Sequence, residues 1–129
     1  MKKSKPPLAS LSREDYEKRL KKIILAGLGK AWMFWPPRSE VKKRCKINDR
    51  NDVHFGWFVC EKCGEHREKL EIDHINPCIK PSEGFVSWDE YIKRRFVFDA
   101  KDLQGLCHEC HKSKSKAENK ARKEAKNGD

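Results

Sequence analysis

Two cysteine pairs, Cys60-Glu61-Lys62-Cys63 and Cys107-His108-Glu109-Cys110, bracket an acid and an imidazole, Asp73-His74, and His111 follows the second pair at once. A two-residue gap lets both sulfurs of a pair reach one ion, and four thiolates offer the tetrahedral, soft-ligand set that suits a structural Zn²⁺. Gly64, directly after the first pair, supplies the tight turn such a knuckle needs, with backbone amides facing sulfur. The competing readings are unliganded thiols or disulfides, and disulfides are disfavoured wherever thiols stay reduced. Cys45 and Cys78 are left over as buried or indifferent thiols.

An Asp-His dipeptide by itself is more often a surface hydrogen bond than a site. Here it closes an apolar, strand-like run, and a metal closed on Cys110 would aim His111 back at that run. Asp73 and His111 could then share a second, divalent ion through oxygen and nitrogen, with His74 beside it as general base for water attacking a phosphate. Such mixed ligation tolerates several divalent ions, Mg²⁺, Mn²⁺, Ni²⁺ and Zn²⁺ alike. Lys112, Lys114, Lys116 and Arg67 are candidate phosphate contacts, of the kind that position a duplex without reading its sequence. His54, His66 and His108 are given no chemical role: the first alternates on a strand-like run, the second sits in a charged loop, and the third lies on the knuckle surface.

Asp73-His74-Ile75 with Pro77, followed by Asp102-Leu103-Gln104 and then Leu106-Cys107-His108-Glu109-Cys110-His111 with Lys114, closely resembles the HNH endonucleases. These are the ββα-metal, or His-Me finger, nucleases, here in their four-cysteine zinc-stabilised form. The resemblance runs from Cys60 to Lys114; residues 1 to 52 match nothing recognisable. It implies an α+β fold with a ββα-metal core stapled by the four-cysteine knuckle pair, hydrolysing DNA phosphodiester bonds. His74 would be the base, Asp73 and His111 the ligands of the catalytic ion, and zinc would sit on Cys60, Cys63, Cys107 and Cys110. One position departs from the pattern, since Asp102 stands where the family's middle Asn is expected. An Asn there donates and accepts in bracing the base's loop, whereas an ionised Asp only accepts, from backbone amides or as a further metal ligand. Small free-standing members look like bacteriophage proteins working beside a DNA-packaging terminase, which would put this chain in the host cytoplasm. That last step is analogy.

The elements that must hold these groups can be read in order. Residues 1–11 form a disordered basic lead containing Pro6-Pro7. Residues 12–52 form a helical extension that starts at Ser12, capped as Ser12-Arg13-Glu14-Asp15. Tyr16, Leu20, Ile23, Ile24 and Leu28 make a core-facing stripe, and the helix ends near Gly27 or Gly29. Trp32 to Trp35 read as a hydrophobic plug, and Ser39 to Cys45 as a short helix. The nuclease core, 53–116, opens with a strand over Val53 to Val59 and continues with another over Lys69 to Ile75. A helix capped by Ser87 runs to Phe96, Leu103 to Leu106 read as a short strand or turn, and a helix from about Cys107 continues toward Lys126, with 117–129 a basic helical or frayed tail.

Charge fits this plan. The chain carries a formal net charge of +10 in 129 residues. Residues 1–46 hold fourteen Lys/Arg against four Asp/Glu, residues 47–110 nine against thirteen, and residues 111–129 seven against three. An acidic middle suits cations, and basic flanks suit a polyanion brought to them. With 36% hydrophobic residues the core is small, so a structural metal would contribute folding free energy directly. No signal-like apolar segment follows Met1, and no run is long enough to cross a bilayer. Two other classes compete with the nuclease: a zinc-stabilised nucleic-acid-binding module without turnover, and a scaffold docking through its N-terminal helix and aromatic cluster.

Overall fold

Two serines open helices where their side chains can satisfy the first orphan amides. In the computed structural model, which describes residues 4–127, Ser12 Oγ accepts from the Asp15 N–H at 3.1 Å and begins α1 (Arg13–Trp32). Ser87 Oγ accepts from the Glu90 N–H at 3.1 Å and begins α3 (Trp88–Arg95). Helix α1 passes through Gly27 and Gly29 rather than ending there. Each glycine costs about 1 kcal/mol relative to alanine, which good helix formers on both sides outweigh.

The chain divides into two compact units, Met1–Phe34 and Trp35–Asp129, so the break falls well before the boundary at 52 that composition suggests. In the first unit the lead is partly ordered, contrary to expectation. Leu8–Ser10 make a single 3₁₀ turn, and Arg19 Nη1 donates to the Pro6 carbonyl at 2.7 Å; residues 1–3 lie outside the described part. The apolar stripe of α1 is not sealed, with Leu20 41% and Ile23 58% exposed.

The second unit begins with α2 (Pro36–Cys45), whose two prolines occupy the first helical positions, where no backbone N–H is needed. Helix α2 lies against a two-stranded antiparallel sheet of β3 (Glu71–His74) and β4 (Leu103–Leu106). The register pairs Glu71 with Leu106, Asp73 with Gln104 and His74 with Leu103. Val41, Leu103 and Leu106 are the fully buried aliphatic side chains of this core. At Gly105 a Cβ would meet Leu70 Cδ2 at 2.7 Å and Cys45 Sγ at 2.9 Å, so any larger residue would have to displace those side chains. Helix α4 (His108–Asn127) follows β4 directly and runs to the end expected near Lys126, helical rather than frayed through the described part of the tail. No helix among the described residues is long and apolar enough to cross a membrane.

A second ribbon, β1 (Phe58–Val59) with β2 (His66–Arg67), pairs Phe58 with Arg67 and Val59 with His66. The strand expected over Val53 to Val59 is thus only its last two residues. Before them the backbone makes consecutive turns, with Asp52 N–H donating to Asp49 O, Phe55 N–H to Asp52 O and Trp57 N–H to His54 O, while Val53 stays 90% exposed. The Asn-Asp-Arg-Asn-Asp run supplies side chains that favour turns over strand, and Gly56 takes the positive φ of 86° that ends them. The chain is a small α+β protein with four α-helices and two small antiparallel sheets among the described residues.

Candidate functional site

The turn between β1 and β2 presents Cys60 and Cys63. Cys60 N–H donates to Glu65 O at 3.0 Å, Gly64 N–H donates to Cys60 O at 2.9 Å, and Gly64 adopts a φ of +75°. Cys107 stands between β4 and α4, and Cys110 lies in the first turn of that helix. The four sulfurs all lie within 4.8 Å of one another, with Cys63 Sγ and Cys107 Sγ 3.9 Å apart. A tetrahedral ion with metal–sulfur bonds of about 2.3 Å requires edges of about 3.8 Å. Cys60, Cys63, Cys107 and Cys110 could therefore hold a metal ion such as zinc.

Charge sharing within the cluster points the same way. Burial pushes the Cys60 thiol up, but amides of Cys63, Cys107 and Lys62 aimed at its sulfur bring it down to about 6. Cys110 is pushed up to about 12, first by hydrogen bonding with Cys107 and then by burial. A divalent cation relieves this competition by taking all four as thiolates. The knuckle is also stapled to the core. Glu61 accepts from the Gly105 N–H at 2.7 Å and forms a two-bond pair with Arg44 at 2.7 and 3.0 Å, and Arg44 donates on to the Ala100 and Leu103 carbonyls.

On the α4 side of β3, alternation sets Glu71 and Asp73 on one face. His111 Nε2 lies 3.8 Å from Asp73 Oδ1, while His111 Nδ1 donates to Glu71 Oε1 at 3.0 Å. The second Glu71 oxygen accepts from His108 Nδ1, also at 3.0 Å. Glu71 thereby fixes which His111 nitrogen carries the hydrogen and leaves Nε2 directed at Asp73, as carboxylates do behind metal-bound histidines. Lys114 occupies the other Asp73 oxygen: its Nζ is 2.7 Å from Asp73 Oδ2, 2.7 Å from Glu118 Oε1 and 2.8 Å from the His74 carbonyl.

His74 faces the other way. Its Nε2 donates to the Arg95 carbonyl at 2.7 Å, and since a carbonyl can only accept, the neutral ring has its basic lone pair on Nδ1. Burial holds the His74 ring below its ordinary pKa, against the raising effects of the Arg95 carbonyl and Asp73. His74 and Asp102 line one cavity of about 380 Å³ together with Asn76, Lys80 and Arg94. Asp102 braces the loop after His74, though through its main chain: the Ile75 N–H donates to Asp102 O at 3.1 Å. Asp73 and His74 both border a smaller cleft of about 180 Å³.

The expected phosphate contacts divide. Lys112 and Lys116 are exposed on α4, as such a role requires. Lys114 is not available for it, because its side chain is only 18% exposed and its ammonium is engaged by two carboxylates and a carbonyl. Arg67 is paired with Glu65 and, at 3.7 Å, with Glu109 beside the knuckle. Of the spare thiols, Cys45 is buried, which lifts its pKa to about 11. Burial also raises Cys78.

Sequence reasoning passed over Glu71 and His108. The available signal was the two-residue spacing of Glu71 and Asp73 along a strand, which places both carboxylates on one face. Comparison with family models, with curated proteins and with solved structures returned no match.

Proposed function

We propose that the chain is a metal-dependent DNA endonuclease of the HNH type, its β3, β4 and α4 forming a ββα-metal site and its four thiols holding a structural Zn²⁺. The observation that carries this reading is the 3.8 Å approach of His111 Nε2 to Asp73 Oδ1 on the strand whose next residue is His74. Metal bonds of about 2.1 Å place neighbouring octahedral ligands about 3.0 Å apart, so an ion would draw these two groups together by less than about 1 Å, and the Glu71 hydrogen bond already aims the nitrogen at the carboxylate. Bound there, Mg²⁺ or Mn²⁺ would polarise the scissile phosphate and stabilise charge on the leaving oxygen.

The protein's own groups do the rest. His74 takes a proton from the attacking water at Nδ1 while Nε2–H stays anchored on the Arg95 carbonyl, which keeps the ring in its basic tautomer and in place. Lys112 and Lys116 would meet phosphates, while Lys114 acts as a strut that orients Asp73. DNA is the partner on this reading, and a phage packaging terminase is a second one suggested by the resemblance.

A binding module without turnover has one observation in its favour: the Lys114 ammonium 2.7 Å from Asp73 already places a cation on the ligand carboxylate. Supercoiled plasmid incubated with the protein and Mg²⁺ or Mn²⁺ separates the two. The nuclease gives metal-dependent nicks that chelator abolishes and that His74→Ala largely loses while keeping its zinc. Retarded DNA with no cleavage under any metal establishes the binding module instead.

A further inference from the structure

Three ligand-type side chains outside the site above converge beside the β1–β2 ribbon. His54 and His66 bring their Nδ1 atoms within 2.9 Å of each other, and a carboxylate oxygen of Asp52 joins them so that all three ligand atoms lie within 4.8 Å. The residues are half-buried, reachable by an ion yet partly shielded from water.

The local backbone holds them in place. Asp52 Oδ1 accepts from the His54 N–H at 2.8 Å, and the turns over 49–57 are tied to α2's end by Ile47 N–H to Trp57 O at 2.8 Å and Gly56 N–H to Ile47 O at 3.0 Å. Trp57 stacks on the His54 ring, centroids 4.4 Å apart and planes 17° from parallel, which fixes its tilt. His66 is fixed separately by its pairing with Val59 in the ribbon. The two imidazole planes stand at 85°.

We propose that Asp52, His54 and His66 form a second metal site, for a divalent transition ion. Two imidazoles and a carboxylate suit Ni²⁺, Cu²⁺ or Zn²⁺, and all three ligand atoms already lie within 4.8 Å of one another, so one ion can reach them with little movement. In the metal-free state one imidazole Nδ1–H donates to the other's Nδ1 lone pair; on binding, that hydrogen is exchanged through solvent to Nε2 of the same ring, so that both Nδ1 lone pairs face the ion. An ion there ties the turns of 49–57 to the ribbon whose tip carries Cys60 and Cys63.

Ni²⁺ is the probe, added to full-length zinc-loaded protein carrying His111→Gln so that the Asp73 site does not compete. Equilibrium dialysis with metal analysis is expected to find one Ni²⁺ per chain beyond the zinc, with quenching of the Trp57 emission that Trp57→Phe removes. His54→Gln and His66→Gln should each weaken Ni²⁺ binding by more than the roughly 10–100-fold cost of losing an outer-shell partner. No added Ni²⁺, or uptake that both glutamine variants leave unchanged, overturns the proposal. So does a loss of thermal stability in these variants with Ni²⁺ giving the parent no protection, which would make the pair a hydrogen bond and nothing more. None of these outcomes bears on the nuclease reading, since the Asp73 site is disabled throughout.

Discussion

Glu71→Gln isolates the group that aims His111. The wild-type carboxylate has an oxygen for each of two imidazole donors, His108 Nδ1 and His111 Nδ1, both at 3.0 Å. Glutamine keeps the shape but offers one acceptor and one NH₂ group, so one histidine must give up its bond or change tautomer. If His111 does so, its Nε2 takes the hydrogen and stops being a ligand. A hydrogen bond to a charged partner is worth about 1.5–3 kcal/mol, and the carboxylate's partial exposure favours the lower end, which is about tenfold in binding. That agrees with the roughly 10–100-fold cost of removing a partner behind a metal ligand. The assay is a Mn²⁺ titration followed by plasmid nicking and by electron paramagnetic resonance of free Mn²⁺. Half-saturation should rise about tenfold or more by both readouts, with zinc content unchanged. His108→Ala is the control: its side chain is 74% exposed, so the Mn²⁺ dependence should hardly move. Wild-type Mn²⁺ affinity in Glu71→Gln would refute the assigned role, and loss of zinc would make Glu71 a folding residue instead.

Three further outcomes follow from the same geometry. Burial depresses His74, so its ring should titrate below 6.5 by NMR; as pH falls through 6.5 the unfolded chain takes a proton that the fold resists, so stability is lost on the acid side, and a midpoint above 6.5 would contradict this. Replacing Cys60 and Cys107 by serine should take bound zinc from near-stoichiometric toward none and abolish cooperative thermal unfolding of the second unit, because both side chains belong to its buried cluster; retained zinc would remove the frame of the site. Gly105→Ala should cost about 1–3 kcal/mol in urea unfolding, with Cys45→Ala recovering part of it, since the new methyl group meets Cys45 Sγ at 2.9 Å; strictly additive effects would show that the contact is not the cause.

Much of the fold was legible because its signals are local. Ser12 and Ser87 cap helices through residues three positions on, and Gly64 turns the knuckle beside its own cysteines. The two cysteine pairs and the Leu103 to Leu106 strand are likewise short-range patterns. The strand expected from Val53 failed because the alternating aromatics that suggest it follow a turn-forming run, and the turns continue through them. The α1 end was misplaced because glycine weakens a helix without stopping it, and the prolines at 36 and 37 mark the real change.

By itself, then, the sequence singled out the candidate residues: four thiols in two pairs, an acid beside an imidazole, and a histidine after the last thiol. Only the tertiary structure decided how they are held. The packing of α4 on β3 brings Glu71 to His111 and Lys114 to Asp73 across about forty residues of chain, the end of α3 brings the Arg95 carbonyl to His74, and the β1–β2 ribbon sets His66 against His54. Residue spacing specifies partners only within a turn or along a strand. Pairings between distant segments depend on how α4 and the strands pack, with Cys110 of α4 against the buried Cys60, Leu106 and Cys107, and that packing leaves no periodic trace in the sequence.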